Sequence, residues 1–553
     1  MNCVNTEQHG PLVTVLISTY NRPRYLAEAL ASIVTQTWTN LDIILVRDGG
    51  LPVRDAIAEY LDDPRLTFID RDQNRGLPYS FNEALSRARG EYVCYLGDDD
   101  KFYPFHVETL LNAMLGQDRC QVVYGDLYKA HCRVMPDGRR IVLAKNVEIS
   151  RDFDRMLMLQ FNHALHVSLL HRRDLLDKTG PYNENLNVMI DWDLTRRLCF
   201  FTDFLHVPIV TGEFYAPVGD CDRISIQRRK NVNDYLLNVL AIRSTRPKKP
   251  WPCMNDLSAI VLTGAESPAQ RVRDLWSHCY YPNQFYVPLS PTEQARFESH
   301  VPNVVPVAVA EGAGPEARTD AVLKVCEGNY VAIVPDGIPI PSAEVSFFER
   351  SLYPLMETSE RQIGYELVEA TPDHWGGVFR TEELAAVRLK NPHLSLAESI
   401  RAAGITIKKP TARDFPFQFD NLINIAAQQG REGNWIQAAQ LYDVAAERFD
   451  NALWMQTLKA NALFQHGRWE SAATLAAHLN RIRPTVARLM IEGRARQKLG
   501  DYAAAAALFR RAEEILDGRH IEYPHARPAA AAKDSQTTDP TLSRQQETLV
   551  WTS

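Results

Sequence analysis

The chain has 553 residues, a net charge of −7, 45% hydrophobic and 23% charged residues, which fits a globular protein of about two to four domains. Its basic clusters are too short to mark nucleic acid as a partner, no apolar run reaches the roughly 18 residues of a membrane span, and MNCVNTEQHG at the start lacks the regions of a signal peptide. Nine cysteines without a CxxC spacing, with Cys94 inside an apolar run, read as reduced thiols and predict a cytoplasmic protein.

Residues 13–17 (VTVLI) form a β-rich run that ends in the turn Ser18-Thr19-Tyr20-Asn21-Arg22-Pro23. Helical periodicity follows over 25–34, then a strand over 41–46 closed by Asp48-Gly49-Gly50, a helical stretch over 53–61 and a strand over 66–69. After the turn Asn74-Arg75-Gly76, a helix over 78–88 leads into the apolar run 92–96, which stops at Asp98, Asp99 and Asp100. Alternating strands and helices predict a parallel sheet with right-handed crossovers. The unbroken apolar run predicts a strand buried on both faces. Three adjacent carboxylates repel one another unless a cation sits among them. Hard oxygen donors suit Mg2+ or Mn2+ carrying a diphosphate, whereas the same triplet alone reads as a solvated acidic turn.

The motifs STYNRPRYL, VRDGG, NRGLPYSFNEALSRARGEYVCYLGDDDKFYP and HRRDLLDKTGPYNENLNVMIDWDLTRRL, in this order over residues 11–230, resemble the inverting, family-2-type nucleotide-sugar glycosyltransferases of GT-A fold. The resemblance implies that Thr19, Tyr20, Arg22, Asn74, Arg75 and Gly76 surround a nucleotide. It also implies that Asp48 accepts the imide N–H of a uracil or thymine base. Asp98 would lie by the ribose or second on the metal, with Asp99 or Asp100 on the ion; Gly97 stands where many members have their first aspartate. The donor implied is a UDP-sugar, with a dTDP-sugar second, and the acceptor a glycan or protein hydroxyl. The general base implied is Asp191, although Ile190 replaces the usual glutamate; Asp193 is the alternative, or a cap for a helix over 194–200. His166 and His171 would border the acceptor pocket, and Arg223 would face the diphosphate from a loop at 219–225.

The Rossmann-like GT-A lobe is expected over 1–246 and a stiff proline-rich linker over 247–253. Over 254–412 the pattern restarts: at an offset of 238, Gly90, Tyr92, Val93 and Asp98 meet Gly328, Tyr330, Val331 and Asp336, while Asp99 and Asp100 become Gly337 and Ile338. This predicts a second, degenerate GT-A-like lobe. Over 418–520, Gly433-Asn434-Trp435 recurs as Gly467-Arg468-Trp469 and Gly500-Asp501-Tyr502, 34 and then 33 residues on. The period resembles tetratricopeptide (TPR) repeats and predicts an all-α array for a protein partner, self-association or docking on the enzyme lobes. The tail 521–553 is expected to be disordered.

Overall fold

The computed structural model describes residues 10–147, 149–150, 152–218, 232–264, 267–340, 346–367, 376–410, 426–448, 453–482, 484–516 and 549–550. The tail expected to be disordered lies outside them, apart from 549–550.

The apolar runs become strands. β1 (Val13–Thr19), β2 (Leu41–Asp48), β3 (Leu66–Arg71) and β4 (Tyr92–Gly97) pair in parallel in the order β3-β2-β1-β4. β1 is buried over Val13–Ile17 because helices cover both its faces. Leu26, Leu30 and Ile33 of α1 (Pro23–Val34) and Val107, Leu110 and Leu111 of α3 (His106–Leu115) pack on one side. Phe81 and Ala84 of α2 (Leu77–Arg87) pack on the other. The stretch expected as a helix over 53–61 is the tighter 3-10 helix Asp55–Tyr60.

Beyond β4 the sheet turns antiparallel at β9 (Leu169–Arg172), and β9 pairs antiparallel with β6 (Cys120–Val134). β6 runs parallel to β10 (Asp203–Pro217), whose far side takes β5 (Lys101–Phe102). β7 (Arg140–Val147) folds back on β6 as an edge strand, and β8 (Ile149–Ser150) pairs with 549–550.

The second lobe holds β11 (Leu257–Val261), β12 (Asn283–Leu289), β13 (Val304–Ala308), β14 (Tyr330–Val334), β15 (Ile363–Glu366), β16 (Gly377–Arg380) and β17 (Thr406–Lys408). Their order, β13-β12-β11-β14-β16-β15-β17, repeats the order and every strand direction of β3-β2-β1-β4-β9-β6-β10. The repetition reaches single atoms. Gly90 N donates to Thr14 Oγ1 at 2.9 Å, and Gly328 N donates to Ser258 Oγ at 3.1 Å. A Cβ on Gly90 or Gly328 would lie 2.5 or 2.7 Å from the backbone nitrogen of Thr14 or Ser258, so both positions exclude a side chain.

The lobes share one core. Arg196, fully buried, donates to the carbonyls of Thr245 (2.7 Å), Arg243 (2.6 Å) and Tyr280 (3.2 Å), and burial lowers its guanidinium to about 10. The segment 247–253 is a packed strap rather than a spacer: Trp251 stands edge-on to Phe200 at 4.9 Å and donates to Pro247 O at 2.9 Å. Glu349, also fully buried, accepts the N–H groups of Tyr280 and Tyr281, both at 2.6 Å, while its Oε2 has no partner among the described residues. Burial pushes this carboxyl up from 4.5 to about 7. The folded state therefore holds a proton that the unfolded chain releases, and this contribution to stability falls as pH rises from about 4.5 through about 7. Glu349→Gln is expected to raise the calorimetric Tm at pH 8, by up to about 3 kcal/mol of stability, with the gain vanishing at pH 5.

The C-terminal helices Trp435–Arg448, Leu453–Gln465, Trp469–Ile482, Val486–Lys498 and Tyr502–Leu516 stack in chain order. One turn recurs three times. Gly433, Gly467 and Gly500 have φ of 85°, 87° and 84°. The next residue in each case closes a bond back to Gln429, Leu463 or Arg496 O, at 2.8, 2.9 and 2.9 Å. A Cβ at these glycines would meet nothing within 4 Å, so left-handed backbone alone selects glycine. Ala438, Ala472 and Ala505 are buried, where a small side chain lets paired helices close.

Candidate functional site

Thr19 closes β1, Asp48 closes β2 and Asp98 follows β4, so β1 brings all three to the C-terminal edge of the sheet. The order reverses between β1 and β4, and open α/β sheets bind ligands at such a reversal. Thr19 Oγ1 donates to Asp98 Oδ2 at 2.8 Å. Arg22 Nη1 donates to Asp98 Oδ1 at 3.3 Å and Asp99 Oδ2 at 2.8 Å. Burial pushes the Asp98 carboxyl up to about 7 and Asp99 adds to this, while Arg22 and Thr19 pull the other way. The resident positive charge leaves the pair under-neutralised.

Asp100 has a different backbone partner: its Oδ1 accepts Tyr215 N at 3.3 Å. Its Oδ2 lies 2.5 Å from where a Cβ on Gly97 would stand. Glycine in the first acidic slot therefore makes room for the Asp100 carboxylate. Arg140, which the sequence reading missed, donates Nη1 to Asp99 O at 2.6 Å and lies 3.5 Å over the Tyr215 ring.

Asp48 is buried, and its oxygens accept from Arg71 Nη1 (2.6 Å), Arg75 N (2.8 Å) and Gly76 N (2.8 Å). The carboxylate thus shapes the turn that carries Asn74, Arg75 and Gly76, and Arg75 stacks 3.5 Å over Tyr79. Asn21 Oδ1 accepts Leu51 N at 2.8 Å and ties the first turn to the second. Tyr20 beside it is 49% exposed, a flat face open to solvent.

Asp191 lies in the first turn of the helix Ile190–Leu198, where the helix start favours negative charge. It is partly exposed, and its Oδ2 accepts Asn162 Nδ2 at 2.9 Å. Thr195 Oγ1 in turn donates to Asn162 Oδ1 at 3.3 Å. Asp193 must be corrected: it is 1% exposed, and Arg197 grips its Oδ2 at 2.8 and 3.0 Å. It neither faces a ligand nor caps the helix.

His171 is corrected likewise. It is fully buried on β9, between the Tyr95 hydroxyl (2.8 Å) and Arg172 O (2.8 Å), and burial lowers it to about 4. His166 keeps a partly exposed edge, stacks on Tyr95 at 3.9 Å and meets the Tyr182 hydroxyl at 2.7 Å. Burial lowers it to about 3, so it is neutral. Asn82 of α2 clamps this segment, accepting Tyr182 N at 2.8 Å and donating to Tyr182 O at 3.0 Å. Arg223 lies outside the described residues.

Among the described residues no three His, Cys, Asp or Glu side chains form a metal cage. Asp98 and Asp99 nevertheless converge on one cationic nitrogen of Arg22, which occupies a position fit for an ion. Two carboxylates, with the rest from phosphate and water, suit a hard divalent cation. In the second lobe the sheet register puts Thr263 and Asp336 where Thr19 and Asp98 stand, with Ser290 in the place of Asp48.

Residues 14–179 match the family model "Glycosyl transferase family 2". A PGL/p-HBAD biosynthesis glycosyltransferase of Mycobacterium bovis is 28% identical over 213 residues, 36% of this chain and 77% of the relative. An uncharacterized glycosyltransferase of Rickettsia typhi is 30% identical over 194 residues, 34% of this chain and 58% of that protein. Among solved structures, S. aureus TarS 1-349 in complex with UDP-GlcNAc aligns at 17% identity and a TM-score of 0.33, over 42% of this chain and 66% of that one. Mannosyltransferase PcManGT from Pyrobaculum calidifontis, in complex with GDP-Man and Mn2+, aligns at 18% identity and a TM-score of 0.31, over 43% and 66%. The chain thus spans just under two thirds of each of these two solved chains. The match to the family 2 model lies within the N-terminal lobe, and no described helix is long and apolar enough to cross a membrane.

Proposed function

We propose that this family 2 domain makes the chain a metal-dependent, inverting glycosyltransferase, moving a sugar from a nucleoside diphosphate to an acceptor hydroxyl in one displacement. One observation carries the reading. Asp98 and Asp99 share a single cationic nitrogen at the sheet's switch point, while a separate, partly exposed carboxylate, Asp191, stands at the start of the helix Ile190–Leu198. A single displacement needs both: a base for the acceptor's proton and a positive centre for the leaving group.

Tyr20 offers its exposed face to the base, and Asp48 keeps acceptor capacity on Oδ2 for an imide N–H, which favours uracil or thymine. The rim of Asn74, Arg75 and Gly76 lets backbone approach the nucleotide. Asp99, with Asp98, holds Mn2+ or Mg2+, which when bound neutralises charge on the departing diphosphate. Asp191 takes the acceptor proton, held in aim by Asn162. His166 borders the acceptor.

The second lobe is a degenerate copy, supported by its identical strand order and by the retained Thr263 and Asp336. Gly337 and Ile338 remove its metal carboxylates, so it packs against the first lobe without chemistry of its own. The C-terminal array is TPR-like, supported by the thrice-repeated glycine turn. A non-catalytic nucleotide-sugar sensor is the rival reading. A hydrolysis screen over UDP-, dTDP- and GDP-sugars with and without Mn2+ separates the two. Mn2+-dependent release of nucleoside diphosphate from a uridine donor is expected; donor binding without turnover of any sugar would favour the sensor.

A further inference from the structure

The β6–β7 hairpin joins two regions far apart in sequence. Near its turn, Arg140 opens β7, donates to Asp99 O and reaches Glu28 with Nη2 at 2.9 Å. Its guanidinium lies over the Tyr215 and Tyr25 rings at 3.5 and 4.3 Å, and the side chain is 7% exposed. Tyr25 also pins the turn, donating to Gly138 O at 3.0 Å. Further along β7, Lys145 Nζ meets Glu213 Oε2 at 2.6 Å in a nearly buried pair. Glu213 also accepts the hydroxyls of Tyr103 (3.1 Å) and Tyr215 (2.6 Å), and Tyr215 N donates to Asp100. The last two members of the acidic turn thus rest on β7: Asp99 through Arg140, Asp100 through the Lys145–Glu213–Tyr215 chain.

The other end of the hairpin lies under the helical array. Tyr128 of β6 packs against Val486, Leu489, Ala512 and Ile515, with Met490 and Leu508 beside them. These belong to the last two helices, Val486–Lys498 and Tyr502–Leu516, which also touch β7. β7 pairs only with β6 among the described residues, and Ile141 and Leu143 on it are 41% and 46% exposed. An edge strand with so little core of its own takes its position from what grips it.

We propose that the last two helices of the array clamp the β6–β7 hairpin, and that Arg140 is the positioning residue through which this clamp sets Asp99 for a nucleoside diphosphate. The proposal rests on the donor-site reading above and gives the array an internal role in it. It is tested on the full chain by titrating UDP with Mn2+, alongside hydrogen exchange of the amides at 128–147. Met490→Glu breaks the clamp from the array side and Tyr128→Ala from the hairpin side. Each is expected to speed exchange in the hairpin and to weaken UDP binding about tenfold, with the Tm of the sheet lobes unchanged. Arg140→Ala should weaken UDP binding at least as much, and Met490→Glu combined with Arg140→Ala should bind UDP no worse than Arg140→Ala alone. Wild-type UDP affinity in Met490→Glu and Tyr128→Ala, or losses that simply add in the double variant, would overturn the proposal. If the wild type binds no nucleoside diphosphate, the donor-site reading fails, and unchanged hairpin exchange in Met490→Glu would then overturn the clamp independently.

Discussion

Asp191→Asn is expected to fold as the wild type does and to lose transfer about a thousandfold in kcat, the scale of a general base's contribution. That loss corresponds to about 4 kcal/mol of transition-state stabilisation. Asparagine keeps the shape of the side chain and an oxygen for the Asn162 amide, so the local geometry survives. What disappears is the site that takes the acceptor's proton. Donor affinity should stay within a factor of about two, because no donor contact is assigned to Asp191. Asp193→Asn should behave in the opposite way. It leaves the Arg197 guanidinium buried beside a neutral amide, at a cost of about 3 kcal/mol or more, so Tm falls and the activity of the remaining folded enzyme changes little. Steady-state rates and melting curves for the two variants check both statements. A tenth or more of wild-type turnover in Asp191→Asn would place the base elsewhere.

Asp99→Asn should weaken Mn2+-dependent donor binding about a hundredfold or more, since one of the two carboxylates facing the cation is gone and Arg22 remains to repel it. Asp98→Asn should lose donor binding to a similar degree while stabilising the metal-free protein above neutral pH. Burial and Asp99 hold the Asp98 carboxyl up at about 7. The native state therefore retains a proton that the unfolded chain has released, and this contribution to stability falls as pH rises from the ordinary carboxylate range through about 7. Asparagine removes that dependence, so the Tm gain of Asp98→Asn should be present at pH 8 and absent near pH 4. Calorimetric titration of UDP with Mn2+, together with melts at the two pH values, reads both effects. A lower Tm for Asp98→Asn at pH 8, or full UDP affinity in Asp99→Asn, would contradict the assignment.

Much of the N-terminal lobe could be read before the structure because its central strands are buried on both faces. The runs at 13–17, 41–46 and 92–96 are apolar apart from the buried Thr14 and Asp42 and are bounded by polar turns, and the polar residues at their ends are those the sheet gathers at one edge. The second lobe's sheet was legible through glycines that exclude a side chain, Gly90 and Gly328, rather than through its chemistry. The array was legible because a left-handed turn accepts little besides glycine.

Other features depended on contacts between distant residues. Arg140 comes 41 positions after Asp99 and lies in a hairpin that the motif search passed over, although Met135-Pro136-Asp137-Gly138 is itself a turn signature. Asn162 carries no motif at all. Asp193 was decidable in principle, since Arg197 stands four residues on in the same helix, the spacing of a paired charge. His171 sits on the covered face of a four-residue strand, too short for its alternation to be seen. The packing of Trp251 on Phe200 and the contact of the array with β6–β7 are matters of packing between lobes, which local pattern does not encode.

The measurement that bears most directly on the central claim is anomalous scattering from Mn2+ in crystals soaked with UDP. The account predicts one strong Mn2+ peak within coordination distance of Asp99, with the diphosphate beside it, Arg22 displaced from the carboxylates and the base against Tyr20. It predicts no such peak at Asp336 in the second lobe. Mn2+ and UDP bound at the second lobe, or UDP bound in the first lobe with no ion near Asp98 and Asp99, would contradict it.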